Sequence, residues 1–146
     1  MRKLYLLIIL IVISLCSYSE VQAELPDFYK DVHHIVWVVD DLAEVKKGWG
    51  SIGFEEIRDL GLLTITENND KMSKARAACG HLGGVRVLWL EAVKGKNIFT
   101  KFWKSYGDGV FSLVHQPGNT VSFEREVKRL KSCGIGTIDK IRFHGD

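Results

Sequence analysis

Residues 32–39 read Val32-His33-His34-Ile35-Val36-Trp37-Val38-Val39. The run is β-branched and aromatic, and apolar on both faces after the histidines, so it specifies a buried strand. Asp40 and Asp41 follow at once, and either side chain suits a helix N-cap. Leu42, Val45, Trp49 and Ile52 then fall at i, i+3, i+7 and i+10, which is one helical face. Gly53 is placed to stop that helix. A buried strand feeding an amphipathic helix commits the chain to a mixed α and β architecture.

The same reading carries along the chain. Residues 54–59 read as a second strand, and residues 60–71 as a loop with a short strand over 62–66. Residues 74–79 form a third strand and residues 85–93 a strong fourth. Gly80-His81-Leu82-Gly83-Gly84 makes a long glycine-rich connection between them. A helix over 97–106 gathers Phe99, Phe102, Trp103 and Tyr106 near one side. After Gly107-Asp108-Gly109, residues 110–115 form another strand. Thr120 is placed to cap a helix with Phe123, Val127 and Leu130 on one face. Gly134 and Gly136 end it, and residues 137–143 form a last strand. The order is β-α-β-β-β, a short helix, then β-α-β. The second β-α repeats the first after about 75 residues.

A chain of 146 residues with 46% hydrophobic and 26% charged residues makes one globular domain, not a coiled coil or a disordered chain. The net charge of +2 is spread along the chain, so no nucleic-acid footprint is present. Arg2 and Lys3, an apolar run over residues 4–15, and Val21-Gln22-Ala23 together have the layout of a secretory signal peptide over residues 1–23. The apolar run is shorter than the ~20 residues a spanning helix takes, so the expectation is an exported protein, periplasmic or secreted, with no membrane segment after cleavage. Export leaves Cys79 and Cys133 in an oxidising compartment, where a disulfide and two free thiols both remain open. No Cys/His spacing suggests a zinc site.

The ordered wording resembles the vicinal oxygen chelate superfamily, nearest its glyoxalase and methylmalonyl-CoA epimerase branch. The matching stretches are Val32 to Leu42, Gly53-Phe54-Glu55, Gly84-Val85-Arg86-Val87-Leu88-Trp89-Leu90-Glu91, Phe102-Trp103-Lys104 to Gly107-Asp108-Gly109-Val110, and Arg129-Leu130-Lys131-Ser132-Cys133-Gly134-Ile135. The resemblance implies an α+β fold of βαβββ modules, with a curved mixed sheet enclosing a cavity. Residues 31–95 would be the first module, and residues 96–146 a connecting helix and a partial second module. It also implies a divalent metal that stabilises an oxyanion while a carboxylate moves a proton.

Carried over residue by residue, the first-strand metal ligand falls on His34. The fourth-strand ligand position holds Leu88 and the fifth-strand position Ser112, so these two become candidate ligand-binding residues in an apolar cavity. The last ligand would lie past Asp146. Glu91 is a candidate general base, although period-two counting sets it on the face opposite Leu88. His33 falls on the helix-packed or outer face. Trp37, Trp89, Phe102, Trp103 and Phe111 read as core, with Trp89 and Phe111 turned to helices. Lys94, Lys96, Lys101 and Lys104 read as a solvated cluster.

Three functions follow as expectations. The first is an exported protein that binds a small molecule in the sheet cavity. The second is a divalent-metal-dependent isomerase or lyase of glyoxalase or methylmalonyl-CoA epimerase type, completed by a longer chain or a partner subunit. The third is a structural assembly module, in which a homodimer or another partner completes the sheet.

Overall fold

The computed structural model describes residues 25–54, 56–67, 72–94, 96–136 and 141–145, without the side chains of residues 92–94. The proposed signal segment over 1–23 and the expected strand residues 137–140 lie outside the described residues. After a 3-10 turn at Asp27–Tyr29 come β1 (His34–Val39), α1 (Leu42–Ser51), β2 (Arg58–Thr66), β3 (Met72–Leu82) and β4 (Val85–Lys94). Then follow α2 (Ile98–Tyr106), β5 (Gly109–Val114), α3 (Thr120–Ser132) and β6 (Arg142–Gly145). Among the described residues the strands form one six-stranded sheet in the order β5-β1-β4-β3-β2-β6, curled into a half-barrel. β1 and β4 run parallel, and the remaining pairs are antiparallel. The fold is α+β with a curved mixed sheet, in the element order the sequence specifies.

Several boundaries differ from the sequence expectation. Residues 60–66 are strand rather than loop, while residues 54, 56 and 57 are not strand. A register shift between Asp59 and Gly61 is absorbed by Gly61 at φ +75°, so β2 bends and continues pairing with β3. The β3–β4 connection is short. Gly83 at φ +59° and Gly84 turn the chain, and Leu82 and His81 pair with Val85 and Arg86. Asn119, not Thr120, caps α3: its side chain accepts from Ser122 N–H at 2.9 Å. Ile52 ends α1 instead of joining its packed face and is 67% exposed.

The two faces of the sheet bury different residues. On one, Leu42 packs on Val39, Ala78, Val87 and Trp89, with Val45 and Trp49 of α1 against them. Trp49 meets Trp37 edge-on at 6.0 Å between ring centroids, the geometry aromatic quadrupoles favour. On the other, Val36, Val38, Ile65, Ala75, Ala77 and Leu90 surround Phe99 of α2. Phe111 also packs there, on the rings of Phe99 and Phe102. It stands at a register shift in β5, where strict alternation of faces lapses.

Helix starts are tied to the sheet. Asp41 Oδ1 accepts from Ala43 N–H at 2.7 Å and Glu44 N–H at 3.3 Å. Asn97 is fully buried at the head of α2; it accepts from Thr100 N–H at 2.8 Å and donates to Ser73 Oγ of β3 at 3.0 Å. No helix of the described residues is long and apolar enough to cross a membrane.

Candidate functional site

The pairing register determines which side chains share the α2 face. His34 of β1 stands opposite Arg86 of β4, and Arg86 stands opposite His81 of β3. Two residues along, Val36, Leu88, Cys79 and Arg58 form the next row across β1, β4, β3 and β2. Phe99 of α2 fills the middle of this face at 1% exposure. Room remains where β1 and β4 begin. There a cleft of about 670 Å³ is lined by His33, His34, Glu56, Ile57, Arg58, Leu60, Cys79, Gly80, His81, Arg86 and Leu88.

The apolar part of the cleft is half-buried: Ile57, Leu60 and Leu88. Gly80 is buried against Trp89. A Cβ at position 80 would lie 3.2 Å from the indole ring and 3.4 Å from the Glu56 carbonyl oxygen. The polar part is cationic. Arg58 and Arg86 meet no carboxylate among the described residues. Arg76 and Arg129, by contrast, are paired with Glu91 and Glu126. Glu56, also exposed, is the acidic residue among those lining the cleft.

His33 and His34 act together. Their Nδ1 atoms are 2.8 Å apart and their rings meet edge-on. At that distance one Nδ1 carries the proton and the other accepts it. Burial holds the His34 pKa below the usual histidine value, with the neighbouring His33 and Arg86 charges adding to the effect. Alternation puts His33 on the helix-packed or outer face, away from His34. It precedes the first residue of β1, where strand alternation does not yet apply, and it lines the same cleft as His34.

The sequence-derived candidates separate. His34 and Leu88 come together in the cleft. Ser112 pairs with Val36 along β5 but is not among the cleft-lining residues. Glu91 is also outside it. Its carboxylate accepts from Leu42 N–H at 3.1 Å and pairs with Arg76 at 3.1 Å, on the α1 side of the sheet. The carboxylate is thus engaged as a cap of α1, on the face of the sheet opposite Leu88. Arg58, Cys79, His81 and Arg86 were missed. Arg86 lies two residues before Leu88, so period two already put it on the Leu88 face. The glycine-rich stretch over 80–84 hides His81, and only the short turn reveals it as strand.

The resemblance implies a divalent metal on His34, but the donor set does not fit one. The other expected ligand positions hold Leu88, which has no donor atom, and the neutral hydroxyl of Ser112. No group of three or more His, Cys, Asp or Glu side chains is arranged to hold a metal ion among the described residues. Cys79 and Cys133 are both free thiols, Cys79 half-buried in the cleft and Cys133 exposed.

No family model and no curated protein matches this chain. Among solved structures, it is similar to the crystal structure of a hypothetical protein from Bacillus halodurans C-125. The two are 19% identical, with a TM-score of 0.55 over 74% of this chain and 71% of that one. That likeness concerns the fold: an α+β chain built on a curved sheet.

Proposed function

We propose that this chain is an exported small-molecule-binding protein, related by its wording to the vicinal oxygen chelate superfamily, whose ligand occupies the cleft at the start of β1 and β4. One observation carries the reading. His34 and Leu88, which stand at two of the positions where the resemblance puts metal ligands, open onto a single cleft of about 670 Å³. Small-molecule sites usually measure ~300–1,000 Å³ and combine apolar walls with a few polar groups. Binding in the cleft needs neither Glu91 nor a metal.

The test is a thermal-shift screen of the full chain against small metabolites, repeated on Leu88→Trp, which fills the cleft. Ligands that stabilise the native chain and lose their effect on Leu88→Trp support the reading. Ligands that stabilise both chains equally contradict it. Export is tested by the N-terminal sequence of protein recovered outside the cytoplasm, which the reading puts at Glu24.

A second reading concerns the sheet edges. Each of β5 and β6 has one strand neighbour among the described residues. Val110 and Leu113 of β5 are 46% and 57% exposed, and Phe143 of β6 is 42% exposed. An unpaired edge with apolar side chains favours pairing, and a second copy of this chain offers matching edges. Light scattering across a hundredfold concentration range tests it: dimer at the upper end supports the reading, and monomer throughout contradicts it.

A further inference from the structure

We infer that the cleft selects a small molecule with one anionic group, a carboxylate or a phosphate, attached to an apolar body. This rests on the cleft being the binding site and adds the class of ligand it takes. The register sets His34, Arg86 and His81 in one row across three strands, with Leu88, Cys79 and Arg58 in the next. Arg86 in the first row and Arg58 in the second supply the cationic groups, and Leu88 of the second row forms an apolar wall with Leu60.

The guanidinium groups of Arg58 and Arg86 have no carboxylate partner among the described residues. A planar guanidinium offers paired N–H donors to carboxylate or phosphate oxygens, and the histidine row adds further N–H donors. Glu56 offsets part of the positive charge. A single anionic group matches this balance better than a polyanion. Leu88 and Leu60 then cover an aliphatic or aromatic body of modest size.

Calorimetric titration of the full chain with hexanoate, hexyl phosphate and 1-hexanol tests the inference, because these probes share a chain and differ in the head group. The acids are expected to bind about tenfold more tightly than the alcohol, a gap that narrows as salt is raised. Hexanoate against hexyl phosphate decides between the two head groups. R86Q and R58Q are each expected to weaken acid binding several-fold and to leave the alcohol unchanged, with circular dichroism confirming that both variants fold. Equal binding of acid and alcohol, or acid binding insensitive to both substitutions, overturns the inference while leaving the cleft as a binding site. Binding of all three probes unaffected by Leu88→Trp overturns the cleft itself. Absence of binding by any probe at millimolar concentration overturns the anionic selectivity, and the metabolite screen then decides the fate of the cleft.

Discussion

The Glu91 carboxylate of β4 accepts the first free N–H of α1, that of Leu42, at 3.1 Å. Asp41 takes the next two. The head of α1 therefore rests on two carboxylates, one from its own turn and one from the sheet. Both are favoured by the positive end of the helix dipole. Glu91 also holds Arg76 of β3, so a single side chain joins α1 to two strands.

Removing that carboxylate is a stability change, not a functional one. Glu91→Ala should cost about 1.5–3 kcal/mol, the range for a hydrogen bond to a charged acceptor. Glu91→Gln keeps an acceptor and should cost less. Urea denaturation measures the loss, and ligand affinity at a temperature where the variant is folded should match the native chain. A loss of binding or turnover in folded Glu91→Gln would restore Glu91 to the site.

Gly80 makes an opposite case, where a small residue protects both packing and cleft. The Cβ of Gly80→Ala would press on Trp89, which is fully buried. A substitution that overfills a packed interior costs about 1–3 kcal/mol. The melting temperature should fall, and the tryptophan emission should shift as the indole is displaced. A variant as stable as the native chain would show that the Trp89 ring yields freely.

The anchor of α3 should be sensitive to acid. Glu126 accepts from Arg129 at 2.7 and 2.6 Å and from the Tyr29 hydroxyl at 2.8 Å. The Arg129 hydrogen bonds hold the Glu126 carboxyl below its ordinary pKa, with Tyr29 contributing. A depressed folded pKa means that the unfolded chain binds the proton more readily. The stabilisation is then full above the ordinary carboxylate pKa and is lost as pH falls through the folded value. Hydrogen exchange in α3 should rise across that acid range in the native chain. In Glu126→Gln, exchange should be faster at neutral pH and flatter below. Identical pH profiles for the two chains would contradict the assignment.

The two thiols should report on the cleft. Cys133 is exposed and Cys79 is half-buried among the cleft residues. Iodoacetamide should modify Cys133 first, and a bound ligand should slow modification of Cys79 alone. Mass spectrometry of tryptic peptides resolves the two. Protection of Cys133 instead would place the ligand elsewhere.

The sequence made the order of elements legible because period and caps are local signals. Asp41 before Leu42 marks a helix start, and the run over 35–39 is β-branched apart from Trp37. His34 and Leu88 were singled out by the resemblance, and alternation along β1 and β4 puts them on one face with Val36 and Leu90. What was lost depended on geometry that local patterns do not carry. Gly61 looked like a loop glycine, yet its positive φ sustains a bulged strand. Five residues with three glycines looked like a long connection, yet the turn takes only Gly83 and Gly84, which carries His81 into the pairing. Glu91 was assigned to the correct face, but its reach to Leu42 depends on how α1 crosses the sheet. That crossing is set by the packing of Trp49 on Trp37 and Trp89.

The most direct test of a ligand in this cleft is a nitrogen-edited NMR titration of the full chain with hexanoate and with 1-hexanol. The account predicts saturable shifts gathered on the backbone amides of His34, Cys79, Gly80, Arg86 and Leu88, larger for the acid. Saturable shifts gathered instead on α3 or β6, with the cleft amides unmoved, would contradict it.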